Sequence, residues 1–459
     1  MSPLVRRFSS TTFAALGIKN YRLYIGGQAV SLVGTWMQMA AQAWLVLQMT
    51  DSATTLGLIV ALQTVPVLLL APYGGLVADR VDKRKATIIA QAMMGVQALV
   101  LGVLTVTHLV HVWEIGALAV VLGINNAFEG PARQSFMLEL VGSDHLRNAV
   151  SLNSTMVNVA RVVGPGIGGL MIAAFGSGWC FLINAASFVA VISSLVRLDV
   201  GELDPVTPSP RAKGQLREGL RYVRSVPRIV IPLAMMGIVG CLTYEFSVSL
   251  PYMAAHGLHS GSAAFGFMTA SMGVGAVIWG LVVATRGKTG IATLVLSCVA
   301  FGVMMCFATL APNLPLELIA LALVGGSSIS FMSQANATIQ LAAAPEMRGR
   351  VMSLWFIALQ GSTPIGGPII GAVMAGFGAR AGLGVGAVTC FVVAAGGALA
   401  LSRVRARRTV EAAAAAAMAT PDVDVDVEIA VAIAHVADVE LDDVIADAAT
   451  AAAEQPAVA

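Results

Sequence analysis

Apolar segments long enough to cross a lipid bilayer recur along the chain of 459 residues. A helix of about 20 apolar residues spans a hydrocarbon core of roughly 30 Å. Twelve segments meet this condition and predict an all-α membrane protein with twelve transmembrane helices in two six-helix bundles. In chain order, the predicted spans are residues 22–48, 54–78, 86–108, 113–136, 149–175, 179–197, 229–253, 262–284, 290–311, 315–341, 351–377 and 382–402.

The composition agrees with a chain solvated mainly by lipid. Hydrophobic residues make up 57% of the sequence and charged residues 11%, whereas soluble domains contain roughly 25% charged residues. The five cysteines lie within or beside the spans without paired loop spacing, which predicts neither a disulfide framework nor a metal site. The sequence offers no nucleotide-binding loop or catalytic triad, so we expect no cofactor, no enzymatic activity and no nucleic-acid partner.

Positive charge is confined to alternate loops. Lys and Arg accumulate in the loops of membrane proteins that stay in the cytoplasm. With the N-terminus placed inside, all 27 Lys and Arg residues except Arg161 and Arg380 fall in inner segments or at inner span ends. We therefore expect a multi-pass protein of the bacterial cytoplasmic membrane with both termini in the cytoplasm.

The spans and loops divide the chain into five regions. Residues 146–152 resemble residues 347–354 in sequence, which indicates that the two halves are diverged copies about 200 residues apart. Such a duplication suits alternating access, in which two bundles rock about a site between them. The predicted regions are a cytoplasmic N-terminal segment (1–20), an N-terminal bundle (21–197), a cytoplasmic linker (198–228), a C-terminal bundle (229–402), and an acidic, Ala-rich tail (403–459) that we expect to be disordered.

The loop between predicted spans 2 and 3 carries the most specific motif. It reads Gly74-Gly75-Leu76-Val77-Ala78-Asp79-Arg80 and continues into a basic cluster, Lys83-Arg84-Lys85. This pattern resembles the signature loop of the major facilitator superfamily, although Asp82 stands where that family usually has a second glycine. Glycine allows spans 2 and 11 to approach, and an aspartate at a helix end can meet a helix N-terminus and nearby arginines.

A second charged motif lies at the inner end of predicted span 4, where Glu129 and Arg133 are one helical turn apart. In the resembling family, an acid at this point pairs with the basic end of the loop after span 2. The alternative is ordinary anchoring by positive charge. The resemblance therefore implies one cytoplasmic gate network, formed by Gly75, Asp79, Arg80, Arg84, Glu129 and Arg133.

Predicted span 5 contains Gly164-Pro165-Gly166-Ile167-Gly168-Gly169, which resembles the span 5 motif of proton-coupled antiporters in the same superfamily. Ala160 stands at one upstream position where those antiporters have glycine. A dense glycine cluster and a proline also give a pliable, closely packed helix. Gly164, Pro165, Gly168 and Gly169 thus favour exchange, with general helix packing as the alternative.

Two charged side chains fall inside predicted spans, where an unpaired charge costs several kcal/mol. Arg161 lies within span 5, and Glu245 lies in span 7 within Tyr244-Glu245-Phe246. A partly desolvated carboxyl group is suited to take up and release a proton. Glu245 and Arg161 are therefore the proton-coupling candidates, with a structural partnership to a polar neighbour as the alternative for Glu245.

Amide and aromatic side chains within the spans suggest a substrate cavity. Gln38 and Gln42 share one face of span 1 because they are four residues apart. Such a cavity suits an amphiphilic substrate, including a cationic one. Hydrogen bonds between helices and interfacial aromatic anchors are the alternative roles. The full candidate set is Gln38, Gln42, Trp36, Asn158, Tyr244, Asn336 and Trp355.

Residues 20–402 as a whole resemble the major facilitator superfamily. Within it, Gly130-Pro131-Ala132-Arg133-Gln134, Asn148-Ala149-Val150-Ser151-Leu152-Asn153-Ser154 and Tyr244-Glu245-Phe246 resemble the bacterial branch of macrolide-efflux proteins and the enterobactin exporter. The resemblance implies a monomeric transporter that exports drug-like or siderophore-like small molecules in exchange for protons. Import or facilitated diffusion of a metabolite is one alternative, and a sensor that transports nothing is another.

Overall fold

The computed structural model of the protein describes residues 14–78, 80–204, 215–285 and 289–419, and every regular element in these ranges is helical. After a short 3-10 turn, Ala14–Gly17, the first half of the described chain contains five helices. They are α1 (Lys19–Thr50), α2 (Ala53–Ala78), α3 (Lys83–Val106), α4 (Val112–Phe175) and α5 (Ser177–Val196).

The second half begins with a helix in the predicted linker and then forms the second set of spans. In chain order these helices are α6 (Gln215–Ser225), α7 (Pro227–Leu242), α8 (Phe246–Tyr252), α9 (Ser262–Thr285), α10 (Ile291–Leu310), α11 (Leu314–Ala342), α12 (Arg348–Gln360), α13 (Thr363–Phe377) and α14 (Ala379–Ala419). A π-helical turn, Met253–Gly257, follows α8 directly.

Helix α4 supplies two crossings. It is 64 residues long, or about 96 Å at 1.5 Å per residue, which is about three times the hydrocarbon thickness. Gly142 interrupts it with φ 67° and ψ 175°, a backbone conformation open mainly to glycine. The described residues contain eleven helices long and apolar enough to span a membrane, with α4 counted once. The two arms of α4, residues 112–141 and 143–175, bring the total to twelve crossings.

Two predicted spans are broken, which corrects the prediction of continuous helices there. Span 7 stops at Leu242 and resumes at Phe246, and Glu245 lies in the break with φ −80° and ψ 41°. Span 11 stops at Gln360 and resumes at Thr363. Pro364 follows in the first turn of α13. Backbone N–H groups in a first turn have no partner within the helix, so a proline there, which lacks an N–H, loses no hydrogen bond.

The last helix also departs from the prediction. Helix α14 continues to Ala419, so residues 403–419 are helical, although we expected a disordered tail from residue 403. Alanine has the highest helix propensity, and an Ala-rich sequence extends a helix that has already formed. The remaining part of that prediction, residues 420–459, lies outside the described residues.

Helices α1–α5 form one bundle and α7–α14 form the other. In the first bundle α1 packs on α4 and α5, α2 on α4, and α3 on α5; in the second, α9 packs on α11, and α10 on α11 and α14. Because α2 and α13 run antiparallel across the boundary, Ala78 and Arg348 belong to the same end of the molecule. We call this end the basic end, and it carries Lys83, Arg84, Arg133, Arg197, Arg224 and Arg348.

Candidate functional site

At the end opposite the basic end, α2 and α13 bring the two bundles into backbone contact. A Cβ atom at Gly57 would collide with the carbonyl group of Gly367, and one at Gly371 would collide with the carbonyl group of Ala53. Only glycine permits helices to pack this closely. The two bundles are therefore in direct contact through small residues of α2 and α13.

Helices α4 and α9 make the second contact between the bundles. A Cβ atom at Gly169 would lie 2.8 Å from Gly266 Cα, and one at Gly266 would lie 2.6 Å from the carbonyl oxygen of Pro165. The Ser262 hydroxyl donates a hydrogen bond to the carbonyl oxygen of Gly169, at 3.2 Å. Together, the α2–α13 and α4–α9 contacts form what we call the closed end.

The glycine motif of span 5 therefore has two faces. Pro165 and Gly169 contact α9 of the other bundle, while a Cβ atom at Gly164 or Gly168 would press on Trp36 or Met37 of α1. The motif fixes how α4 packs within its own bundle and against the other. Its link to proton exchange stays a prediction.

The sequence contains a second copy of this motif, which our sequence analysis missed. Gly367-Pro368-Ile369-Ile370-Gly371 in α13 repeats the Gly-Pro-x-x-Gly pattern of Gly164–Gly168 about 200 residues later. Each copy lies in the second-to-last crossing of its bundle and packs against the other bundle. The repeat offset found at residues 146–152 and 347–354 was the signal that could have revealed it.

A contact between a histidine and a carboxylate also joins the bundles at the closed end. His256 Nε2 lies 2.9 Å from Asp51 Oδ1, and the His256 ring stacks on Tyr252 with 4.2 Å between ring centroids. Neither residue was a candidate from the sequence, because a loop position alone does not reveal its partner in the other bundle.

Glu245 is buried directly behind the α2–α13 contact. Its side chain is 2% exposed. A Cβ atom at Gly366 would lie 2.8 Å from Glu245 Oε1, and one at Gly367 would lie 3.6 Å from Oε2. Within the described residues, its Oε1 atom has no hydrogen-bond partner. The break between α7 and α8 thus places the Glu245 carboxyl group against the α13 glycines at the contact between the bundles.

At the basic end, the structure brings together part of the predicted gate network. Glu129 Oε1 lies 2.8 Å from Arg133 Nε, and Gln91 Nε2 donates a longer hydrogen bond, 3.4 Å, to the same oxygen. Arg80 is exposed. Asp79, the expected centre of the network, lies outside the described residues.

Arg84 does not join this network, which corrects the prediction. Its Nε and Nη2 atoms donate hydrogen bonds of 2.8 and 2.7 Å to the carbonyl oxygens of Leu195 and Val196. These carbonyls end α5, where the partial negative charge of a helix C-terminus attracts a cation. Instead, Lys83 reaches an acid, with 2.8 Å between its Nζ and Glu139 Oε1.

The glycine pair before Asp79 also has a different neighbour from the one we expected. A Cβ atom at Gly74 would collide with the carbonyl group of Ala127, so α2 here approaches α4 of its own bundle rather than span 11. Gly75 is the next residue of α2. The contacts of α2 with span 11 lie further from the basic end and reach as far as Leu68 and Gly361.

Gln38 and Gln42 line a pocket whose lining residues all belong to the first bundle. Asn184 Nδ2 donates to Gln38 Oε1 at 2.6 Å, and Gln38 Nε2 donates to Gln97 Oε1 at 2.9 Å. This amide chain fixes the orientation of the side chains at one wall of the pocket. The other lining residues are Thr35, Met39, Gln63, Met94, Leu122, Asn126 and Phe188.

The remaining cavity candidates do not converge on this pocket. Tyr244 donates a hydrogen bond of 2.7 Å to the carbonyl oxygen of Ser328, and Trp355 belongs to the core of the second bundle. Asn158 bonds the Ser154 carbonyl of its own helix, and Asn336 accepts from Gln340. Tyr244 and Trp355 thus pack among residues of the second bundle, and their place in a substrate cavity stays a prediction.

Arg161 lies in the middle of the second arm of α4. Its guanidinium carbon is 5.0 Å from the centroid of the Trp36 ring, and its Nε atom is buried without an acceptor. A guanidinium group stays protonated, so Arg161 needs a titrating partner to couple protons. No acid in the described part of the chain forms a salt bridge with it.

Glu317 is a buried acid that our sequence analysis did not select. It is 0% exposed in the first turns of α11, and neither carboxyl oxygen has a hydrogen-bond partner. Its position near the start of predicted span 10 was a usable signal, but we weighed only charges deep within a span.

Relatives of the chain are transport proteins. It is 30% identical over 229 residues to the MFS-type transporter YfiS of Bacillus subtilis, covering 48% of this chain and 53%, about half, of YfiS. It is 26% identical to the multidrug efflux pump Tap of Mycolicibacterium fortuitum, covering 72% of this chain and 84% of Tap. The enterobactin exporter EntS of Escherichia coli is 28% identical, over 76% and 84% of the two chains.

Solved transporters share the fold at low sequence identity. The nucleoside transporter NupG superposes with a TM-score of 0.63 at 11% identity, over 82% of this chain and 98% of NupG. A bacterial homologue of the lysosomal transporter Spinster, in an inward-facing conformation, gives a TM-score of 0.61 at 14% identity, over 83% and 97% of the chains. These matches establish the fold alone.

The family assignment rests on the sequence profile of transmembrane secretion effectors, which matches residues 10–452. All of the described residues fall within this match, including both glycine motifs and Glu245. The chain therefore belongs to the transmembrane secretion effector family of the major facilitator superfamily, a family of multi-pass transporters in the bacterial cytoplasmic membrane.

Proposed function

We propose that the protein exports small amphiphilic molecules across the cytoplasmic membrane by alternating access, as a monomer, in exchange for protons. The similarity to a multidrug efflux pump and to a siderophore exporter supports export. The basic end is cytoplasmic in this proposal, because positive charge favours the inner face of the membrane. The closed end then faces outwards.

The observation that carries proton exchange is the position of Glu245. Its carboxyl group packs against Gly366 and Gly367, and Gly367 in turn contacts Gly57 of the other bundle. A neutral carboxyl group is stable in this buried site, whereas a charged one costs several kcal/mol unless water or a cation reaches it. Deprotonation of Glu245 therefore weakens the packing of α13 against α2 at the closed end.

This arrangement supplies the coupling that an exporter needs. Proton release towards the cytoplasm leaves Glu245 charged and destabilises the closed end. The protein then opens outwards and releases its substrate, and protonation from outside restores the closed end. Each step requires only that the two conformations differ in affinity for the proton.

The test is dye transport in vesicles that contain the purified protein, with an imposed pH gradient. We expect the gradient to drive ethidium transport by the unaltered chain and a protonophore to abolish it. Glu245→Gln should lose at least about tenfold of this gradient-driven rate while retaining exchange of ethidium across the membrane without a gradient. The matched control is Glu317→Gln, a buried acid of the same bundle away from the α2–α13 contact.

Three outcomes would contradict the proposal. Unchanged gradient-driven transport in Glu245→Gln would remove Glu245 from the coupling. Transport that ignores the protonophore would favour facilitated diffusion or import of a metabolite. A chain that moves no substrate in either direction would favour a sensor that retains the fold.

A further inference from the structure

Arg161 is a cation placed where the membrane makes charge costly. It lies near the middle of the second arm of α4, about 27 Å from the Gly142 end and about 21 Å from the Phe175 end at 1.5 Å per residue. At this depth an unpaired charged side chain is expensive and marks a functional position. The cost requires a compensating group.

Within the described residues, Trp36 alone supplies such compensation. The ring lies 5.0 Å from the guanidinium carbon, which is within the range of a cation–π interaction. Such a contact stabilises a cation by about 0.5–2 kcal/mol, less than an unpaired charge costs within a bilayer, and the Arg161 side chain is half-buried. No hydrogen bond or salt bridge to Arg161 is present in the part of the chain that the structure describes, and Nε is buried without an acceptor. The site lacks a negative charge of its own.

The surroundings of Arg161 place this cation at the edge of the contact between the bundles. The next residue, Val162, meets Gly273 of α9, where a Cβ atom would lie 2.7 Å from Val162 Cγ2. From there towards the closed end, Pro165 and Gly169 continue the contact. A group bound at Arg161 therefore lies beside the point where the two bundles separate.

We propose that Arg161 and Trp36 bind an acidic aromatic group of the transported molecule, a carboxylate or phenolate attached to a ring. The guanidinium group supplies planar N–H donors to the anion, and the indole of Trp36 supplies apolar surface for the ring. Lipid headgroups carry anions too, but Arg161 lies at the depth of the acyl chains. This inference rests on the proposed export function and specifies its substrate class.

The test uses a charged and a neutral probe of the same shape, 2-naphthoate and 2-naphthamide. Binding is measured to the full chain in nanodiscs of phosphatidylcholine, which has no net charge. We expect 2-naphthoate to bind about tenfold more tightly or better, as for a hydrogen bond to a charged group. Arg161→Gln should remove this preference and leave 2-naphthamide binding within about twofold, whereas Arg161→Lys should retain part of it.

The control variant is Arg380→Gln, because Arg380 already donates a hydrogen bond of 2.7 Å to the carbonyl oxygen of Thr309. It should keep the preference for 2-naphthoate. Trp36→Leu should weaken the binding of both probes. Equal affinity of the unaltered chain for the two probes, absence of 2-naphthoate binding, or an equal loss of both probes in a folded Arg161→Gln variant would each overturn the inference.

The two proposals fail in different ways. Gradient-driven ethidium export without any preference for 2-naphthoate would contradict the Arg161 site and leave the export function intact. Binding of 2-naphthoate through Arg161 without gradient-driven transport of either ethidium or 2-naphthoate would contradict proton exchange and leave the anion site intact.

Discussion

Asp51 and His256 connect the two bundles at the closed end, with 2.9 Å between Asp51 Oδ1 and His256 Nε2. Asp51 follows α1 in a left-handed conformation, φ 50°, and His256 lies in the π-helical turn after α8. The contact is next to the one between Ala53 and Gly371. The contact therefore ties the end of α1 in one bundle to the turn after α8 in the other.

Loss of the contact between His256 and Asp51 should loosen the closed end. His256→Leu removes the nitrogen that lies 2.9 Å from Asp51 Oδ1. An exposed polar contact of this kind changes the population ratio about two- to fivefold. Distances between spin labels at the exposed residues Leu109 and Leu310, which belong to different bundles, report this population.

His256→Leu should shift the label distance towards the separated state, while His259→Leu, at an exposed neighbour, should leave it unchanged. An unchanged distance in His256→Leu would show that this contact does not hold the bundles together.

Adding one methyl group at Gly266 should open the closed end. A Cβ atom there would lie 2.6 Å from the Pro165 carbonyl oxygen and 2.9 Å from Gly169 Cα, and neither backbone can yield without separating the helices. Overpacking costs about 1–3 kcal/mol, so Gly266→Ala should shift the label distance towards the separated state. Gly280→Ala on the same helix, where the nearest atom would lie 3.9 Å away, should change nothing. Equal distances in both variants would show that this contact does not hold the bundles.

The sequence predicted the spans well because twenty apolar residues permit few structures in a bilayer. Periodicity could not reveal the break at Glu245, because that break depends on how α7 packs against Gly366 of α13. The pairing of Glu129 with Arg133 was predictable from their spacing on one helix. The binding of Arg84 to the end of α5 was not, because the family resemblance directed attention to carboxylates and a helix C-terminus presents only backbone oxygens. Partners far apart in sequence, such as Asp51 and His256, required the packed structure.

Removing one member of the amide chain should destabilise the first bundle. Asn184→Leu leaves the buried Gln38 Oε1 without its donor at 2.6 Å, and an unsatisfied buried acceptor costs about 1–3 kcal/mol. The midpoint of thermal unfolding in detergent should fall by a few degrees. Gln340→Leu removes an exposed amide that bonds only its own helix and should leave the midpoint unchanged. Similar midpoints for both variants would mean that water or a rearranged amide replaces the lost donor.

Glu129 and Arg133 should behave as a coupled pair. Their side chains are only 10% and 24% exposed at 2.8 Å, so Glu129→Gln or Arg133→Gln alone leaves an unpaired charge and should cost about 3–5 kcal/mol of unfolding free energy. The double variant should recover much of that loss. Lys85→Gln is the control, because Lys85 pairs with Asp82 at 3.7 Å with exposures of 76% and 51%, and such pairs contribute about 0–1 kcal/mol.

The same double variant separates a gate from an anchor. If the pair is part of a gate, the double variant folds with nearly normal stability yet transports more slowly, because neutral side chains no longer attract the charged loop after α2. If Arg133 is only an anchor that follows the positive-inside rule, the double variant should retain transport once its stability is restored. Transport rate and unfolding free energy measured on one preparation of each variant decide between these roles, and a rate that simply follows stability would remove Glu129 and Arg133 from the gate.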